Sequence, residues 1–296
     1  MRVRVFFILF CLIWRAQSKA QDLPLFEQAN LRLVSSQFSF TEGASVDKDG
    51  NVFFTDQPND QIWKFSRGGE LSLFMSNSGR SNGTIFDKDG NLIVCADENN
   101  QIWSIDVRGK KKLVYKNPPE KNLNGPNDLW IDARGGIYFT DPYYQRSYWN
   151  RKAPNIEGEH VYYLPKGKRK TITVDEDLMR PNGIVGTPDG KILYVADALA
   201  NRVYQYDIEA SGNLVNRKLL IPQKSDGMCL DELGNIYLTG KNGVDIYSKE
   251  GKHFANIKIP EPHTANLCFS GVNRDILFIT ASKSVYTLKM NVKGVE

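Results

Sequence analysis

Short apolar runs alternate with polar turn clusters along this chain, and one unit of that pattern recurs six times. The copies read SVDKDGNVFFTD (45–56), IFDKDGNLIVCAD (85–97), WIDARGGIYFTD (130–141), IVGTPDGKILYVAD (184–197), CLDELGNIYLTG (229–240) and LCFSGVNRDILFITA (267–281). Each is an apolar strand, a turn of D-x-x-G type and a second strand of β-branched and aromatic residues, which is the signature of a hairpin. Gly50, Gly90, Gly135, Gly190 and Gly234 mark the turn in five copies, and Asp275 stands at that place in the sixth. Further strands follow most copies, as in QIWKF (61–65), QIWSI (101–105), RVYQYDI (202–208) and GVDIYS (243–248). Helical periodicity is nearly absent.

Units of about four strands recurring at this spacing predict an all-β fold, a six-bladed β-propeller over residues 21–296. A ring of blades must close, because an open ring leaves unpaired strand edges. Residues 31–40 precede the first copy and SVYTLKM (284–290) follows the last, so one is expected to complete the blade that contains the other. The longest insertion, residues 143–158, follows the third copy and is rich in Tyr, Arg, Trp and Asn. It reads equally as a lid or as a decorated surface loop.

The repeat also carries chemistry. Counting back five positions from the first turn residue of each copy reaches Glu42, Asn82, Asn127, Asn182, Asp226 and Asn266. Equivalent positions in a propeller are related by rotation about its axis, so these six side chains are expected to converge on a central metal site. Two carboxylates and several carboxamides form a hard-oxygen donor set suited to Ca²⁺. No His or Cys stands in that register, which disfavours zinc. Asn-Gly and Asp-Gly pairs also form turns, but turn formation explains neither Glu42 nor a common offset in every copy. A second polar set, Asp56, Asp97, Asp141 and Asp197, ends the following strands and is expected to bind backbone amides, with Asp141 of interest because it precedes the insertion.

In FTEGASVDKDGNVFFTD, SNGTIFDKDGNLIVCAD, LNGPNDLWIDARGGIYFTDPYY, MRPNGIVGTPDGKILYVAD and SDGMCLDELGNIYLTG, then GVDIYSKEGK and ANLCFSGVNRDILFITA, the chain resembles the calcium-dependent gluconolactonase family, also called senescence-marker-protein or luciferin-regenerating-enzyme-like. The resemblance runs over essentially the whole chain after residue 20. It implies a metal held by Glu42, Asn127, Asn182 and Asp226, with Asp226 taking and returning a proton. Asn82 and Asp141 match family positions near the substrate, and Asn266 joins them by the count above. Where the animal branch has a sugar-contacting arginine, this chain has Gly125.

Composition narrows the rest. Arg2 and Arg4, the apolar run 5–14 and the ending Ser18-Lys19-Ala20 read as a secretory signal over residues 1–20, too short to span a bilayer. The expected product is exported, secreted or periplasmic, with no membrane partner. A net charge of +4, with basic residues scattered apart from Lys166, Lys168, Arg169 and Lys170, gives no nucleic-acid surface. Cys95, Cys229 and Cys268 lie in apolar strand patterns and read as buried thiols, with one bridged pair as the alternative. A GxSxG elbow is absent, and His160, His253 and His263 stand outside the ring register, where surface or packing roles are expected. Opening of a small lactone or ester by a Ca²⁺-dependent hydrolase is therefore the expected function. Phosphotriesterase or aryl-esterase activity on the same ring, and a non-catalytic ligand-binding propeller, are the alternatives.

Overall fold

A computed structural model describes residues 24–116 and 123–295, so the expected leader lies outside the described residues. Six four-stranded antiparallel sheets account for nearly all the regular structure. Their innermost strands are Thr41–Val46, Ser81–Phe86, Leu129–Ile131, Pro181–Gly186, Met228–Leu230 and Thr264–Ser270. Each inner strand meets the inner strands of the two flanking blades, from first to sixth and back to the first. This is the closed six-bladed propeller that the repeat predicts.

Closure is made as expected. The last blade runs Thr264–Ser270, Ile276–Ala281, Ser284–Lys289 and then, from the other end of the chain, Arg32–Ser35, which pairs antiparallel with Ser284–Lys289. An early and a late strand are thereby joined in one sheet, and neither side of the ring is left as an open edge.

Six apolar clusters, found among the described residues, fill the spaces between neighbouring blades. Phe53, Ile62 and Met75 of the first blade meet Leu92 and Val94 of the second, and comparable sets fill the other junctions. Alternation of side chains places one face of each sheet against each neighbour, so burial on both faces explains why the second strands, such as Val52–Asp56, are buried throughout. Cys95, Cys229 and Cys268 are buried in three different clusters.

Candidate active site

Four of the six inner strands begin with a bulge. In the first blade Thr41 pairs with Asp56 and Glu42 with Thr55, and the register then slips before Ser45 pairs with Phe53. Similar slips occur at 81–84, 181–184 and 264–266. A bulge re-aims a side chain out of the regular alternation. Here Glu42, Asn82, Asn127, Asn182 and Asp226 all line a single cavity of about 350 Å³ at the axis. Five of the six residues found by counting are thus brought together.

Asn266 is not. Its amide N–H bonds the Thr280 hydroxyl, and its side-chain oxygen accepts the N–H of Leu267. Those are the bonds made by Asp128 to Thr140 and Leu129, one residue after the ring position of the third blade. The true sixth ring position is Ala265, whose carbonyl accepts the Gly227 N–H at 2.7 Å as the Asn127 carbonyl accepts that of Gly83. The cause is a longer hairpin. Thr55 lies three residues after the strand-closing pair Val46–Val52, whereas Thr280 lies four after Ser270–Ile276. Counting from the turn therefore overshoots by one, and Asn266 lies in the layer below, lining a different cavity with Asp128.

That lower layer is glycine in the other four blades because the inner strands nearly touch there. A Cβ on Gly43 would sit 1.9 Å from the Asn82 carbonyl oxygen, and one on Gly183 would sit 2.1 Å from that of Asp226. The Thr55 hydroxyl donates to the Asn82 carbonyl and the Thr239 hydroxyl to that of Ala265, tying adjacent blades at the height of the ring.

The strand-end aspartates serve the scaffold. Asp56 accepts the N–H groups of Ser39 and Phe40, and Asp197 those of Met179 and Arg180. Asp141, fully buried, accepts those of Asn124 at 2.9 Å and Gly125 at 2.7 Å. It is absent from the residues that line the axial cavity. Burial pushes its pKa up to about 7 against the pull of the two amides. Asp97 breaks the pattern, because Ala96 takes the position equivalent to Asp56 and Asp97 falls one residue beyond, beside Gln57.

The insertion forms part of the cavity mouth, through Tyr144 and Arg146. Asn124 anchors its far end, accepting the N–H of Asn155 and donating to the Gly158 carbonyl. Arg146 Nε donates to Asp97 at 2.9 Å, and the Tyr148 hydroxyl donates to the same carboxylate. At Gly125 an added Cβ would approach Asp97 Oδ1 to 2.7 Å and the Trp149 ring to 2.8 Å, so a side chain there would have to displace both.

Sequence reasoning missed His263. Its Nε2 lies 2.7 Å from Asp226 Oδ2, and its ring stacks on Phe40 at the cavity wall. The Asn182 amide donates to the Tyr144 hydroxyl at 3.1 Å, leaving the Asn182 carbonyl oxygen uncommitted. Among the described residues, no hydrogen bond to the side chain of Asn82 or Asn127 is found. The Glu42 carboxyl is held well above the usual carboxylate range, first by burial and then by the charges of Asp226 and Asp128. Two acids in one cavity, surrounded by amide oxygens, make a donor set that a hard cation would relieve. No cluster of three or more His, Cys, Asp or Glu occurs among the described residues, since carboxamides supply the remaining donors.

Comparison with known proteins agrees with this architecture. The profile of the SMP-30/Gluconolactonase/LRE-like region matches residues 40–283. A gluconolactonase from Zymomonas mobilis is 28% identical over 89% of this chain and 82% of its own. Regucalcin from Oryctolagus cuniculus is 30% identical over 55% of this chain and 56% of its own. A gluconolactonase structure from Xanthomonas campestris superposes with a TM-score of 0.81 at 23% identity, covering 88% of this chain and 89% of that one, and so shares the fold. With the profile spanning most of its length and the six blades in place, this chain belongs to the SMP-30/gluconolactonase/LRE-like family.

Proposed function

We propose that this protein is a divalent-metal-dependent hydrolase that opens a small lactone, with Ca²⁺ as the metal. The observation that carries this reading is the convergence of Glu42, Asn82, Asn127, Asn182 and Asp226, from five consecutive blades, on one axial cavity. Names of relatives support the activity: a gluconolactonase, a lactonohydrolase from Aspergillus oryzae and a lactonase from Staphylococcus aureus. The lactonohydrolase matches over only 45% of its own length. A solved relative from Agrobacterium tumefaciens is described as calcium-binding.

Glu42, Asn127, Asn182 and Asp226 would hold the ion, and oxygen-only donors suit Ca²⁺. When bound, a divalent cation supplies Lewis acidity toward a carbonyl oxygen. The protein's own part is proton transfer and orientation. Asp226 takes a proton from water as the water oxygen bonds to the acyl carbon, and returns it to the ring oxygen as the acyl C–O bond breaks. A carboxylate that binds a cation is a weakened base. The His263 contact engages Oδ2, and no protein hydrogen bond to Oδ1 is found among the described residues. Tyr144 orients the Asn182 amide so that its oxygen remains available. Asn82, which lines the same cavity, would contact substrate. Asp141, with both oxygens engaged by amides, acts by holding the segment at 124–125.

A panel of lactones, aryl esters and phosphotriesters, assayed with and without EGTA, tests the reading. Lactone hydrolysis should vanish on chelation and return with Ca²⁺ rather than Zn²⁺. Chelator-resistant turnover, or turnover of phosphotriesters alone, contradicts it. The leader-like segment adds export to the proposal, and N-terminal sequencing of the mature protein should begin at Gln21.

A further inference from the structure

The residue two before each ring position lies on the loop between blades, and in the first, fifth and sixth blades it lines the cavity. In chain order these are Phe40, Arg80, Gly125, Arg180, Lys224 and His263. Arg80 and Arg180 are already committed. They pair with Glu98 and Glu159 and lie over the rings of Tyr148 and Tyr144, which seats the insertion on the mouth.

The third blade differs, because Gly125 offers no side chain and Asp97 and Trp149 fill its space. A cation reaches the cavity there from the insertion instead. Arg146 lies between Tyr144 and Tyr148 in sequence, its Nε is fixed by a carboxylate buried to 1% exposure, and its own side chain is 23% exposed. No hydrogen bond from either terminal nitrogen is found among the described residues, and neither is a buried atom without a partner. Two donors of a rigid planar fork thus remain available on a residue that lines the cavity. Lys224 and Lys241 also line this cavity, are exposed, and have no ion-pair partner among the described residues.

From this we infer that the substrate is an anionic lactone, one that bears a free carboxylate besides its ring ester, and that Arg146 is the residue that recognises the carboxylate. The inference rests on the lactonase reading above and adds the substrate class to it. Three cationic side chains, Arg146, Lys224 and Lys241, thus line one cavity, and among the described residues Arg146 alone of the three has an ion-pair partner. A carboxylate accepts both terminal N–H groups of the fork, and the lysines favour its approach over the rim. Asp97 is then a positioning residue, because it holds Nε and leaves the terminal nitrogens for the ligand.

The test compares D-glucono-1,4-lactone with D-glucaro-1,4-lactone, which share a ring and differ by a hydroxymethyl group against a carboxylate. With the Ca²⁺-loaded protein at low ionic strength, kcat/KM should favour the glucaro-lactone at least about tenfold, the worth of one charge-assisted hydrogen bond. The preference should shrink in 0.5 M salt, roughly as expected for a rim-assisted approach. Arg146→Met in an Asp97→Asn background removes the ion pair as a unit. It should abolish the preference through KM for the anion, so that the two lactones are turned over with equal kcat/KM by the same variant. Arg146→Lys should restore part of it. Equal or better turnover of the neutral lactone overturns the inference and leaves the lactonase reading intact. If neither lactone is hydrolysed, the lactonase reading fails, but both remain intact and can be titrated by calorimetry. Tighter uptake of the glucaro-lactone that Arg146→Met abolishes would then uphold the anion site, and equal uptake would overturn it.

Discussion

Replacing Asp141 with alanine separates a scaffold role from a chemical one. At pH 5, below its pKa of about 7, the buried carboxyl group accepts the N–H groups of Asn124 and Gly125. Alanine leaves both without a partner. A buried donor without a partner costs roughly 1–3 kcal/mol, so the pair should cost about 2–6 kcal/mol. In a domain of this size each kcal/mol lowers Tm by about 2–4 °C, giving a fall on the order of 5–20 °C. The loss should also reach the cavity mouth, since Asn124 holds Asn155, Ile156 and Gly158 of the insertion through its side chain. Differential scanning calorimetry of the variant, with lactone kinetics well below its transition, reads both effects. The account predicts a lowered Tm, a raised KM and a kcat within about fivefold of wild type. An unchanged Tm with kcat reduced a hundredfold or more would refute it, because Asp141 would then be acting on the reacting atoms.

Two further outcomes follow from the same geometry. Burial raises the folded-state pKa of Asp141 above its unfolded value, so the folded protein holds the extra proton between pH 4 and 7. Its stabilising contribution is therefore present at low pH and lost as pH rises through about 7. The stability of wild type relative to Asp141→Asn, from urea titrations, should decline over that window by up to about 4 kcal/mol and level off above it; a rising difference would reverse the sign. Gly183→Ala should yield little soluble protein or a transition lowered by several degrees, because its Cβ would meet the Asp226 carbonyl oxygen at 2.1 Å. Gly240→Ala, with nothing within 4 Å of the added atom, should behave like wild type in the same thermal melt.

Rotational symmetry made much of the site legible in the sequence. Blades of equal hairpin length must repeat their ring residue at an equal offset from the turn, which is why Glu42, Asn82, Asn127, Asn182 and Asp226 could be found by counting. The offset fails where a hairpin changes length, and the last blade, one residue longer on each strand, put Asn266 in place of Ala265. Asp97 was misread similarly, since Ala96 pairs with Ser81 as Asp56 pairs with Thr41 and Asp97 opens the turn beyond. Residues that break the repeat carried no signal at all. His263 comes from a loop that differs in every blade. Arg146 comes from an insertion with no counterpart elsewhere, and its bond to Asp97, with Tyr144 and Tyr148 packed against Arg180 and Arg80, holds it at the cavity. Asp141 was singled out for its place before the insertion, and its two amide partners show how that place is used.

Calorimetric titration of chelator-treated protein with Ca²⁺ probes most directly whether the ring holds one ion. The account predicts uptake of a single equivalent, weakened at least about tenfold by Glu42→Gln and by Asn182→Leu, and unaltered by Asn266→Ala, whose side chain lies outside the axial cavity. Absence of any uptake, or an Asn266→Ala loss equal to that of Asn182→Leu, would contradict it.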